Sequence, residues 1–160
     1  ARDLAPLLNT RVQVTGWTLE REGRRIIELE PDAGALRPAA EAPRLASPLA
    51  WQPVGAVTLR GEIVDTKCFL GAMKPGEGRT HRACAILCIQ GGIPPTLVTR
   101  GPSGAARFTL LCDPAGEPFG GAQLDAILAH VGGPIEAQGQ LESAAGVERL
   151  RLDPRSIRRR

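Results

Sequence analysis

The sequence predicts an all-β domain with two short helices: a small, strongly curved barrel of the oligonucleotide/oligosaccharide-binding (OB) type, with an N-terminal β-hairpin extension. Three observations predict it. Short segments of alternating apolar residues are separated by turn residues, and 19 glycines with 14 prolines leave little room for long helices. Apolar residues make up 42% of the chain but aromatics only 3%, with no tyrosine, so the core is expected to be built from Val, Ile, Leu and Ala. Finally, several strand candidates carry a glycine at their midpoint, where a strand of a small barrel has to bend.

The elements follow in order. Val12 and Val14 alternate with polar residues up to a bend at Gly16, and Trp17 and Leu19 continue the strand. Glu20 to Gly23 turn, and Arg25 to Leu29 return until Pro31. From there to residue 56, Pro31, Pro38, Pro43, Pro48 and Pro53 recur among alanines without a sustained period. Proline donates no backbone hydrogen bond and holds its predecessor extended, so this stretch reads as a semi-rigid connector whose end Trp51 pins to the core. Val57, Leu59, Gly61, Ile63 and Asp65 resume strand alternation and deliver Cys68 at the strand end. A loop without regular structure spans Gly71 to Arg79. Thr80 is expected to N-cap a helix from His81 to Ile89 that Gly91-Gly92 close. Strands are expected at Thr96 to Thr99 and Arg107 to Cys112. Leu124, Ile127, Leu128 and Val131 mark a second amphipathic helix, and Pro134 to Asp153 a closing hairpin. This last hairpin echoes the first: aligning Gly16 with Gly139 also aligns Val12 with Ile135, Gly23 with Gly146, Ile27 with Leu150 and Pro31 with Pro154.

These segments divide the chain into a hairpin (1–31) packed on or extending the barrel, a Pro/Ala-rich connector (32–56), the OB-like domain (57–154) and a basic tail (155–160). A β-sandwich is the rival architecture. No apolar run approaches the roughly 18 residues that span a bilayer. The chain begins at Ala1 rather than Met, so an upstream signal or anchor is expected, and with it an exported, membrane-tethered protein.

Chemistry concentrates in one place. Cys68, His81, Cys84 and Cys88, spaced C-x12-H-x2-C-x3-C, hold three of the four cysteines and one of the two histidines. On a helix, His81, Cys84 and Cys88 at i, i+3 and i+7 form one stripe, which can face Cys68. Thiolate and imidazole donors suit zinc, iron–sulfur clusters and copper(I), and a Cys3His set fills a tetrahedral shell with no open position. A structural zinc or an electron-transfer centre is therefore favoured over hydrolytic zinc. Two other readings stand beside it: a disulfide from Cys68 to Cys84 or Cys88, and a thiol enzyme using Cys68 or Cys84 with His81 as base, which ranks last. Asp65 reads as a turn cap, with orientation of His81 as the alternative. Lys74, Arg79 and Arg82 read as a charged rim, Cys112 as a buried strand residue, and His130 as a residue near a helix end that gains from the dipole if protonated.

The chain has no phosphate-binding glycine loop, no G-x-S-x-G and no H-E-x-x-H. Few aromatics exist for base stacking, so nucleic acid is an unfavoured partner despite the fold.

The stretch G-E-I-V-D-x-x-C-F-L-G…H-R-x-C-A-x-x-C-I-x-G-G-I-P-P, from Gly61 onward, resembles a group of bacterial proteins, many of them exported or membrane-anchored. The likeness is close over Gly61 to Val98 and loose over the terminal hairpin. It implies an OB-type domain in which Cys68, His81, Cys84 and Cys88 act as a set, and it carries no assigned activity. The expectation is a metal- or iron–sulfur-binding accessory or electron-transfer domain of an exported redox system, working with a protein partner in a redox or membrane complex. A disulfide-braced assembly module is the alternative.

Overall fold

The structure is a computed structural model that describes residues 5–7, 10–39 and 50–160. Ten strands and two α-helices are defined among them. Strands β1 (Val12–Val14), β2 (Gly16–Arg21), β3 (Arg24–Leu29) and β4 (Leu36–Pro38) make the N-terminal part. The remainder runs β5 (Gln52–Asp65), α1 (Arg82–Gln90), β6 (Pro95–Arg100), β7 (Ala106–Cys112), α2 (Gly121–Leu128), β8 (Pro134–Ala144), β9 (Val147–Arg151) and β10 (Arg158–Arg159).

Five of these strands close on themselves. The pairing runs β8–β5–β6–β7–β9 and returns from β9 to β8, so no edge of the ring is left open. All of these pairs are antiparallel except β7 with β9. One parallel step in an otherwise antiparallel ring, with a helix between its third and fourth strands, is the OB-like barrel that the sequence predicts. Ile63, Leu97, Ile127, Ile135, Leu141 and Leu150 are essentially fully buried in its core, each contributing roughly 2–3 kcal/mol by leaving water.

The midpoint glycines do what their repetition suggested. A Cβ on Gly61 would stand 2.1 Å from the Val98 carbonyl oxygen, and one on Gly139 would stand 2.3 Å from that of Arg151. At the corner between β1 and β2, a Cβ on Gly16 would meet the Glu28 carbonyl at 2.1 Å. In each case the neighbouring backbone occupies the space of a side chain, so the strand can curve inward only at glycine.

The N-terminal hairpin packs on the barrel. Its turn, Glu22-Gly23, has positive φ at both residues (52° and 75°), the two-residue geometry that matches strand twist. Leu19 and Ile26 cover a second apolar cluster of Val64, Phe69, Leu70, Val98 and Phe108, in which the Phe69 and Phe108 rings meet edge-on at 5.5 Å. Arg21 stacks over Phe69 and donates to its carbonyl, while Arg100 binds Glu22.

Three boundaries differ from expectation. The connector is shorter, because Leu36–Pro38 pairs with β1 and β5 begins already at Gln52. Both exceptions keep proline where the ladder can spare a donor, at Pro38 on a short peripheral strand and at Pro53 beside a register shift. Pro43 and Pro48 lie outside the described residues. Trp51 is pinned, with the Arg149 guanidinium 4.2 Å over its ring. The end of the chain, expected as a free tail from 155, instead turns at Pro154–Ser156, buries Ile157 and adds Arg158 and Arg159 to β8 as β10.

Candidate metal centre

The centre lies at one end of the barrel, where β5 gives way to α1. Asp65 closes β5 and is fully buried. Its Oδ1 accepts the Cys68 backbone N–H at 2.7 Å, and its Oδ2 lies 3.0 Å from His81 Nε2. The carboxylate thus acts both as the expected turn cap and as the orienting group for the histidine. Cys68 is not at the strand end but opens a single wide helical turn, Cys68–Ala72, that buries Cys68, Phe69 and Leu70. Packing explains the turn: Phe69 and Leu70 enter the cluster under the N-terminal hairpin, which turns the Cys68 thiol toward α1.

The loop that follows closes over Cys68. Gly76 has φ 73°, and a Cβ there would lie 2.6 Å from the Cys68 carbonyl, so this close approach also requires glycine. Gly78 donates to Glu62 Oε1, and Arg21 holds Glu77 at 2.8 Å. The helix itself begins one residue later than expected. Thr80 does not cap it; a tight turn with His81 N–H to the Gly78 carbonyl leads in, and His81 occupies the N-cap position. Gly91 and Gly92 end the helix as the sequence indicates, with φ 104° at Gly92.

The four expected ligands converge. Cys68 Sγ lies 3.9 Å from Cys84 Sγ and 3.9 Å from Cys88 Sγ. Donor atoms of Cys68, His81 and Cys84 lie within 4.8 Å of one another, as do those of Asp65, Cys68 and Cys88. A tetrahedral ion with Zn–S bonds near 2.3 Å separates its sulfurs by about 3.8 Å. The sulfur spacing therefore fits one ion between the thiolates. His81 Nε2 is directed at the buried Asp65 carboxylate, a pairing of the kind that orients a histidine beside a metal. Cys68 and His81 are buried, whereas Cys84 and Cys88 are half-buried toward solvent. Cys68, His81, Cys84 and Cys88 thus cluster where a metal ion could be held, and the Asp65 carboxylate lies within the same reach of Cys68 and Cys88.

Electrostatics point the same way. Burial pushes the Cys68 thiol well above its ordinary value, and the hydrogen bond and charge of Asp65 push it further. Burial and then Asp65 also raise Cys88. Without a cation these groups resist ionisation; a divalent ion offsets that cost and takes the thiolates it needs. The same shifts oppose a nucleophilic role, which requires a lowered thiol pKa.

Of the expected basic rim, Lys74 and Arg79 are exposed, and Arg82 turns away to the Ala129 carbonyl at 3.2 Å. Cys112 stands apart, buried with its thiol on the Leu150 carbonyl. His130 lies beyond the end of α2, and burial with the nearby Arg159 charge pushes its pKa down, which works against the protonated form that would gain from the helix dipole. Sequence reading overlooked Met73, the sole methionine, whose Sδ lies 3.7 Å from Cys84 Sγ. Its position inside a proline- and glycine-rich loop gave no periodic signal. No known protein family, curated protein or solved structure matches the chain.

Proposed function

We propose that this chain is a metal-binding accessory or electron-transfer domain of an exported redox system, with one ion held by Cys68, His81, Cys84 and Cys88. The observation that carries the reading is the pair of 3.9 Å sulfur separations beside a histidine anchored by a buried carboxylate. Spacing of this kind suits a single ion bound to several thiolates better than a cluster that stands its thiolates on different irons. Four protein ligands close the shell, which favours a structural or one-electron role over hydrolysis. An iron or copper ion would supply electron transfer; a zinc ion would supply only rigidity. Exchange with a partner is favoured by the half-buried Cys84 and Cys88 and by the exposed Leu87 and Met73 beside them. Among the described residues no helix is long and apolar enough to cross a membrane.

The test is anaerobic purification followed by elemental analysis and visible spectroscopy. One ion per chain, with thiolate-to-metal absorption if it is iron, copper or substituted cobalt, is the expected result. A folded, colourless and metal-free protein whose intact mass shows paired cysteines would establish the disulfide-braced assembly module instead. That alternative has its own geometric support, since Cys68 is equally near Cys84 and Cys88, although a disulfide needs the sulfurs at about 2.05 Å.

A further inference from the structure

A second site lies on the other side of the entry into α1. Arg79 and Arg82, which flank His81 in sequence, line a cavity of about 250 Å3 together with His130, Arg159 and Arg160. Gly132, Gly133 and Pro134 form its small-residue wall, and among the described residues no Asp or Glu lines it. Arg82 and Arg159 both donate to one acceptor, the Ala129 carbonyl, at 3.2 and 2.6 Å. Two guanidiniums held on a single carbonyl repel each other, and neither has a carboxylate within ion-pair reach among the described residues. Arg79 has none either. Arg160 does meet Glu136, but that carboxylate is shared with Arg60. His130 Nδ1 is buried in the same place without a hydrogen-bond partner, which ordinarily costs about 1–3 kcal/mol.

The neighbouring cavity shows that this imbalance is not the rule on this face. Arg60, Arg100 and Arg160 line it together with Glu62 and Glu77, so its charges are largely matched. In the first cavity the arginines have no such counterparts among the described residues that line it. We propose that this cavity binds a compact phosphate-type oxyanion, with Arg79, Arg82, Arg159 and Arg160 as charged donors and the His130 ring lining the wall beside them. Guanidinium forks match tetrahedral oxyanions in two-point geometry, and such pairs are the stronger class of hydrogen bond. The volume lies below the roughly 300–1,000 Å3 usual for drug-sized ligands, so a phosphate, a pyrophosphate or the head of a phospholipid fits better than a bulky molecule. Burial, and then the nearby Arg159 charge, push the His130 pKa below its ordinary value.

The chain has only two histidines, which gives a local readout that does not depend on the metal. The chain is titrated with inorganic phosphate and pyrophosphate at constant ionic strength, and the ring signals of His81 and His130 are followed by NMR. Saturable movement of His130, with His81 fixed, is the expected result in both metal-loaded and metal-stripped protein. Arg159→Gln should weaken binding by about tenfold, as expected for loss of one charge-assisted contact. Arg79→Gln, at an exposed residue outside any strand, should act in the same direction and guards against a folding artefact in β10. Arg155→Gln, whose guanidinium is held by Asp153, should change nothing. A parallel arm measures co-sedimentation with phosphatidylglycerol and phosphatidylcholine vesicles. Binding to the former alone, displaced by pyrophosphate, identifies a lipid headgroup as the source; response to the free anions without vesicle binding identifies a soluble one. A His130 signal that never saturates, or binding that both arginine variants leave intact, overturns the proposal.

Discussion

Cys68 and Cys112 are both buried, and burial raises the pKa of both thiols, yet only one of them belongs to a site. At the corner of β5 and α1, Cys68 meets two further thiols at 3.9 Å and shares a fully buried carboxylate with His81. At the seam of β7 and β9, Cys112 meets a single backbone carbonyl, that of Leu150. Burial alone makes a cysteine a small hydrophobe. What makes a centre is convergence of donors that are each costly to ionise alone and become favourable around one cation. Three experiments separate the two cysteines.

The largest effect should come from removing the ion. An ion present at a thousandfold excess over its dissociation constant stabilises the fold by about 4 kcal/mol. Chelation, or Cys68→Ala, should therefore lower the thermal midpoint by roughly 10 °C or more, given about 2–4 °C per kcal/mol for a chain of this size. Cys112→Ala should keep the full metal content, with only the cost of a small cavity. Equal metal loss in the two variants, read by elemental analysis, would erase the distinction.

Alkaline titration should reverse the ranking of the two regions. The Cys112 thiol is pushed up to about 11, chiefly by burial, from an ordinary value of 9.0. A raised folded-state pKa means that the stabilisation is complete below the unfolded value and is lost as pH rises through the folded one. Between pH 9 and 11 the metal-loaded chain should lose about 2–3 kcal/mol through this group. In Cys112→Ala the denaturant midpoint should be flatter over that window. An unchanged slope would show that the thiol is not protected by the core.

The smallest effect separates the ligands from their support. Asp65→Asn keeps an acceptor for the Cys68 N–H but replaces the carboxylate that faces His81. Metal affinity should fall by about 10- to 100-fold while stoichiometry stays at one, the usual result of losing a group that orients a ligand histidine. Complete loss of binding, measured by competition with a chromophoric chelator, would instead make Asp65 a ligand.

The contrast also explains what was legible in the sequence. The stripe His81, Cys84 and Cys88 could be read from helical spacing, and the curved barrel from glycines at Gly61 and Gly139, because both depend on local periodicity. Residues brought together by ring closure could not. The parallel pairing of β7 with β9 joins segments separated by a helix and another strand, and no spacing rule announces it. The arginine cavity combines Arg79 and Arg82 with Arg159 and Arg160 for the same reason: the last two look like a solvated tail until Ile157 is seen buried and β10 paired. Asp65 was visible but ambiguous, since a turn cap and a histidine anchor need the same side chain at the same place.

X-ray absorption at the edge of the bound metal tests the central claim most directly. The account predicts one ion with three sulfur neighbours near 2.3 Å and one nitrogen near 2.0 Å. A metal–metal vector, the absence of outer-shell imidazole scattering, or only two sulfurs would contradict a single ion held by Cys68, His81, Cys84 and Cys88.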